Sequence, residues 1–342
     1  MNEVLNIKHY LLYHHRSLIQ FVDQVTSKMV DILKNKILEF HPDTVEYVRK
    51  ELNLDKEGRM EEALDILASW VQKQPHFLKK DFTRAYLERT LMTSKGLVER
   101  AKLRLDKLCT FKTLMPEMYP SVVARKDYDR LLNNFVCNAH LPKMTKEYYR
   151  VYLFNLKSDD FESSDVITYY KYIILLSEYL KNNDYNSGFS IILDMRKTNI
   201  LKFVSKCTPL ELRQIIMLMT EGYGMRIKHI HVITPSKMVD TLIALLKQVL
   251  SSKLGGRIRL HKDIDTLYDF VPKEILPGEY GGKEKSLQEL NDQWLDIITD
   301  KDFSEYYGEM IRAKTDENCR QASKFNEEYI GMPGSFRALS VD

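Results

Sequence analysis

Apolar side chains recur every three or four positions from residue 44 to about 115. Ala63, Leu64, Ile66, Leu67, Trp70 and Val71 make one face of a helix that Gln74-Pro75-His76 ends. Residues 1 to 40 carry a similar stripe (Leu11, Leu12, Leu18, Ile19, Val22, Val25, Met29, Ile32, Leu33, Ile37), which predicts an amphipathic helix before the break at His41-Pro42-Asp43. The texture changes after Pro142. Short, nearly continuous apolar runs at 151–156, 188–195, 227–234 and 256–260 have strand composition, and the stretches between them (166–180, 208–220, 235–250) have helical period. Thr208-Pro209-Leu210-Glu211 reads as a helix start, with a hydroxyl to cap free amides, Pro in the first turn and Glu at the capping-box position. Strands apolar on both faces and separated by helices predict a mainly parallel sheet covered by helices.

The expected class is therefore α/β, preceded by a helical domain. The turn-rich run 276–282 closes the α/β unit, and 286–313 is again helical. These changes divide the chain into an N-terminal extension (1–43), a helical domain (44–125), an α/β domain (146–283) and a C-terminal helical segment with its tail (284–342).

Composition narrows the function classes. With 342 residues, 44% hydrophobic and 29% charged, the chain is long enough for one large core or two modest ones. Its net charge of +3 gives no global footprint of a nucleic-acid binder. Cys109, Cys137, Cys207 and Cys319 are scattered without a C-x-x-C pair, so they read as reduced thiols rather than zinc ligands or a disulfide framework. No run of 18 apolar residues occurs, and Lys8, His14, His15, Arg16 and Asp23 interrupt the first thirty positions, so neither a membrane span nor a secretory signal is expected. Charge is concentrated locally: residues 222 to 262 hold eight Lys or Arg (Arg226, Lys228, Lys237, Lys247, Lys253, Arg257, Arg259, Lys262) against the single acid Asp240.

Catalytic signatures are missing. Gly222-Tyr223-Gly224 lacks the third glycine of a dinucleotide fingerprint, and there is no G-x-S-x-G elbow, P-loop or paired-carboxylate pattern. His229 and His231 share a strand face and would need His261 and a further ligand to hold a metal. No catalytic residue, metal or cofactor is expected.

Longer strings go further. GMRIKHIHVITPSKMVDTLIALLKQVL followed by GGRIRLHKDIDTLYDFVPKEILPGEYGG resembles the second half of the CRAL-TRIO lipid-binding domain, including its tocopherol- and retinoid-carrying members. SWVQKQPHF (69–77) and DFTRAYLERTLMTSKGLVERAK (81–102) are similar to the helical domain that precedes it, and the likeness covers roughly residues 45 to 300.

The resemblance implies a cage around one small hydrophobic lipid, with residues 236–250 as a mobile gate helix. It carries the family's pocket positions onto Tyr170, Ile173, Ser177, Leu218, Met219, Tyr223 and Ile230, and the gate adds Leu242 and Leu246. Ser177 either orients a polar ligand group or bonds back to its own helix. In the tocopherol-carrying branch, four basic positions bind phosphoinositide headgroups, and these match Arg226, Lys228, Lys253 and Arg257. Phosphatidylinositol-carrying members have a Glu where Met225 stands here, although Lys247 keeps another of their headgroup contacts. The resemblance thus implies a cytoplasmic carrier of a tocopherol-, retinoid- or other isoprenoid-like lipid, peripherally associated with phosphoinositide-bearing membranes and without nucleic-acid partners. A phosphatidylinositol carrier or a phosphoinositide-dependent adaptor is the alternative.

Overall fold

The computed structural model describes residues 35–121 and 123–320. Most of the stripe predicted over residues 1–40, and the tail beyond Arg320, lie outside these residues. Four helices come first: α1 (Thr44–Glu51), α2 (Arg59–Gln72), α3 (Arg84–Thr93) and α4 (Val98–Leu114). Met60, Ala63, Leu64, Leu67 and Val71 are the buried face of α2, whereas Ile66, expected on that face, is exposed. Thr83 caps α3 by accepting from the Tyr86 amide.

A short helix, α5 (Lys126–Asn134), leads into a five-stranded sheet: β1 (Val136–Met144), β2 (Tyr149–Leu156), β3 (Gly188–Asp194), β4 (Ile227–Ile233) and β5 (Ile258–His261). The spatial order is β1-β2-β3-β4-β5, antiparallel between β1 and β2 and parallel thereafter. Crossovers are α6 (Ser163–Asn183), then α7 (Ile200–Lys206) with α8 (Pro209–Met217), then α9 (Val239–Val249) with the single turn α10 (Ser252–Gly255). The fold is α/β with a mostly parallel sheet, and the helical region precedes it.

Strand β1 lies upstream of the boundary expected at residue 146, and its polar residues hide it. Asn138, His140 and Lys143 interrupt the apolar pattern, and Pro142 removes a ladder amide where the β1–β2 register shifts. Residues from elsewhere in the chain bond the Asn138 and His140 backbone and the Lys143 side chain, while the buried His140 Nδ1 has no hydrogen-bond partner. Asn291 on α11 (Leu287–Ile298) accepts from the Asn138 amide at 3.2 Å, Trp294 donates to the His140 carbonyl at 2.8 Å, and Lys143 meets Glu284 at 3.0 Å. Helix α11 thereby covers β1, and both α11 and α12 (Lys301–Met310) pack on α6. Thr208 departs from its expected role, because α8 begins with Pro209 in its first turn but without a bond from the Thr208 hydroxyl.

The two faces of the sheet have different covers. On one, the turns between Asp265 and Tyr280 pack against β3 and β4: Phe270 lies 5.4 Å from the His231 ring, and the Tyr280 hydroxyl donates to Asp194 at 2.7 Å. His231 and His261, considered above as metal ligands, here bond each other at 2.9 Å. The other face is roofed by α6, α8 and α9.

Candidate functional site

Under that roof the sheet supplies a floor of alternate residues, since every second side chain points the same way. Tyr152 and Phe154 of β2 stand beside Ile191 and Leu193 of β3 in the parallel register. Above them lie two apolar lobes. One, of about 190 Å³, is walled by Tyr170, Ile173 and Ser177 of α6, Ile215 and Ile216 of α8, and Met219. The second, of about 160 Å³, lies between Phe154, Phe161, Val166 and Leu193 and is closed by Leu242, Leu245 and Leu246 of α9. Tyr169, Tyr170 and Leu212 line both lobes, so the two meet across a shared wall.

The hydroxyls around this space are largely engaged. Ser177 donates back to the Ile173 carbonyl at 2.5 Å and lies 3.0 Å from the Met219 sulfur, which settles its local bond in favour of its own helix. Tyr152 bonds Asn138 at 3.0 Å and Tyr169 at 2.7 Å, and Thr220 donates to Ile216 at 2.8 Å. His140 also lines the first lobe. Burial pushes its pKa down to about 3, so the ring is neutral.

The CRAL/TRIO domain family matches residues 138–282, which span β2 to β5, α6, α8 and α9. The chain carries a CRAL/TRIO domain. The alpha-tocopherol transfer protein-like protein of Mus musculus is 24% identical over 266 residues, 76% of each chain. Clavesin-2 of Rattus norvegicus is 31% identical over 97 residues, 28% of this chain and 29% of its own. Among solved structures, that of Sfh5 aligns with a TM-score of 0.39 at 12% identity, covering 74% of this chain and 93% of the other. No helix among the described residues is long and apolar enough to cross a membrane.

The CRAL/TRIO domain does not gather all the residues expected in its pocket. Tyr170, Ile173, Ser177, Met219, Leu242 and Leu246 line the lobes; Leu218, Tyr223 and Ile230 do not. A π-helical turn, Leu218–Gly222, follows α8. Leu212, Ile215, Ile216 and Met219 form the cavity face at ordinary helical spacing, and Leu218 lies on a neighbouring face of the same helix. Leu218 is fully buried there, in the segment that packs on α4. Tyr223 is spent elsewhere, its hydroxyl donating to Glu178 at 2.9 Å. Ile230 shares the floor through its pairing with Ile191, but lies outside both lobes. Period-2 alternation in β2 carried a signal for Tyr152 and Phe154, whereas nothing local marked His140 on the unrecognised β1.

The back wall of the CRAL/TRIO cavity is anchored by charge. Glu178 of α6 is wholly buried, 3.3 Å from Lys112 of α4, and accepts from Tyr223 and from Tyr306 of α12. Lys112 donates to the Met310 carbonyl at 2.9 Å. One turn on, Lys181 donates to Thr90 of α3 at 2.8 Å and lies 4.5 Å over the Tyr86 ring. Burial pushes Lys181 down to about 7, against the opposing pull of Glu178.

The four basic residues come together outside the cavity, at the amino ends of β4 and β5. Arg226 donates to the Asn186 carbonyl at 3.2 Å, and Arg257 to the carbonyl of Ile227. Lys228 lies 5.0 Å over the Tyr149 ring and 3.9 Å from Glu51. The helical domain adds cations that sequence spacing could not place there. Lys95 is lowered first by its own desolvation, then by Lys253, Arg100, Arg226 and Arg257. Arg104 is buried against Gly224 and pushed down to about 10 by desolvation, Arg100 and Arg226. Gly224 sits in the left-handed region at φ +77°, and a Cβ there would run into the Arg104 guanidinium.

Proposed function

We propose that this protein is a carrier that encloses one small hydrophobic lipid of tocopherol, retinoid or other isoprenoid-like type. It exchanges that lipid at phosphoinositide-containing membranes without chemical catalysis, working in the cytoplasm and at membrane surfaces. The reading rests on one observation above all: a two-lobed apolar cavity in which α9 is the wall that separates the space under Leu242, Leu245 and Leu246 from solvent. Ligand sites of drug-like size run to roughly 300–1,000 Å³, so lobes of about 190 and 160 Å³ suit a single compact ligand better than a two-chain phospholipid. Burying roughly 500 Å² of apolar ligand surface would contribute on the order of 12 kcal/mol gross, before ordering and association costs. Because a membrane lipid is already in an apolar medium, selectivity comes from cavity shape and from the few polar atoms near it.

The cluster of Arg226, Lys228, Lys253 and Arg257, joined by Lys95, supplies the membrane half of the proposal. Several cations hold a multiply charged phosphate, and each near an anionic leaflet contributes about 1 kcal/mol. Native mass spectrometry of the purified protein, followed by organic extraction, tests the cargo. One co-purified lipid per chain is expected, whereas a protein that neither retains nor takes up an isoprenoid probe is no carrier. Transfer assays between vesicles with and without phosphoinositide test delivery, which should be faster to the phosphoinositide-bearing acceptor.

A further inference from the structure

A groove of about 830 Å³, larger than either cavity lobe, runs outside the cage between α4, α8 and the carboxyl end of α9. Its character is amphipathic. Leu103 and Leu210, on its two helical walls, are 55% and 50% exposed, while Arg100, Arg104, Lys107 and Arg213 line it against the single acid Glu221. An occupant that matches it must combine apolar side chains with negative charge.

The chain itself carries such a segment within reach. Arg320 is fastened to α4, its guanidinium donating to Asp106 at 2.8 and 3.0 Å and to Thr110 at 2.7 Å. The last described residue is therefore held by the helix that forms one wall of the groove. Residues 321–342 follow, and within them Phe325-Asn326-Glu327-Glu328-Tyr329-Ile330 sets two acids among three apolar residues. Five residues span at most about 17 Å, enough to pass around a helix roughly 10 Å across. At that width and ~1.5 Å rise a helical residue fills about 120 Å³, so the groove accommodates about seven residues. Residues 1–34 match the groove less well, because Lys8, Arg16, Lys28 and Lys34 outnumber Glu3, Asp23 and Asp31.

We propose that residues 325–330 dock in this groove as an intramolecular strap, apolar residues meeting Leu103 and Leu210 and the two glutamates meeting Arg100 and Arg213. Val249, Leu250 and Leu254 also line the groove, so the docked strap braces the end of the gate helix.

A photoreactive amino acid placed at Tyr329 in the full-length, dilute protein tests this by mass-spectrometric mapping of crosslinks. Crosslinks within one chain to residues 100–107 and 210–217 are expected. Glu327→Lys with Glu328→Lys should reduce their yield at least about fivefold, since attraction becomes repulsion across the interface. Adding Arg100→Glu and Arg213→Glu to that double variant should restore it. Crosslinks that spread over the surface, that join two copies, or that ignore the charge reversals would overturn the proposal. The readout involves no lipid, so it stands or falls apart from the carrier function.

Discussion

Helices α6 and α9 both wall the cavity, yet they are held in opposite ways. α6 is buried along most of its length, tied by Glu178 and Lys181 to α3, α4 and α12, and continued by Asp184, which pairs with the buried Arg150 at 2.8 Å. α9 buries only Leu242, Leu245 and Val249 of its 11 residues, rests on α7 and α8, and has Met238 exposed at its start. A wall fixed by buried charges has no intermediate position, because each pair is either made or left uncompensated in a low-dielectric interior. A wall held by a few apolar contacts can part from its neighbours at modest cost, especially where the surface it leaves is taken up by ligand or by a membrane. The difference marks α6 as the firmly anchored wall of the cavity and α9 as the lightly held one.

The largest break in this comparison should come from the charged anchor. Lys112→Ala leaves Glu178 buried without its cation and should lower unfolding free energy by about 3–5 kcal/mol in chemical denaturation. The next is a matched pair of truncations. Leu176→Ala in α6 should cost about 2–5 kcal/mol of global stability. Leu245→Ala in α9 should cost clearly less, while accelerating amide exchange within 239–249, because the gate opens before the rest unfolds. Equal global losses for the two would remove the distinction between fixed and movable walls.

Ser177→Trp puts an indole into the first lobe. It should cost about 1–3 kcal/mol through overpacking and abolish lipid uptake in a protein that still unfolds cooperatively. Leu218→Trp, aimed at packing on α4 rather than at the lobes, should destabilise without selectively blocking uptake.

Lys181 adds a pH dependence to the anchored helix. Its folded pKa of about 7 lies below the ordinary lysine value of 10.5, so between these the unfolded chain binds the extra proton and stability rises with pH. The limiting slope is about 1.4 kcal/mol per pH unit, fading below pH 7, and Lys181→Met should remove it from denaturation curves recorded between pH 7 and 10.

The smallest stability effect belongs to the outer patch. Lys95→Glu with Lys253→Glu should change unfolding free energy by less than about 0.5 kcal/mol, both residues being exposed. The same variant should lose phosphoinositide-dependent transfer, and wild-type vesicle binding should weaken as salt shortens the ~8 Å Debye length. Transfer at the wild-type rate would reduce the patch to a solvated surface.

Local pattern was enough for the parallel part of the fold. Strands β2 to β5, the crossover helices and the apolar stripe of the gate are each defined by residues close in sequence, whose periodicity survives whatever surrounds them. The same strings carried the CRAL/TRIO resemblance and placed six pocket residues on the lobes. Tertiary structure decided the rest. β1 is held by bonds from its Asn138 and His140 backbone and its Lys143 side chain to residues 140 to 155 positions away, which no local window contains. Leu218 is buried because the segment 218–222 packs on α4, a contact made with residues over a hundred positions away. Lys95 and Arg100 join Arg226 and Arg257 only when the helical domain packs against the amino ends of the strands. Such features depend on long-range satisfaction of polar and charged groups, and sequence periodicity reports only how a segment is patterned against itself.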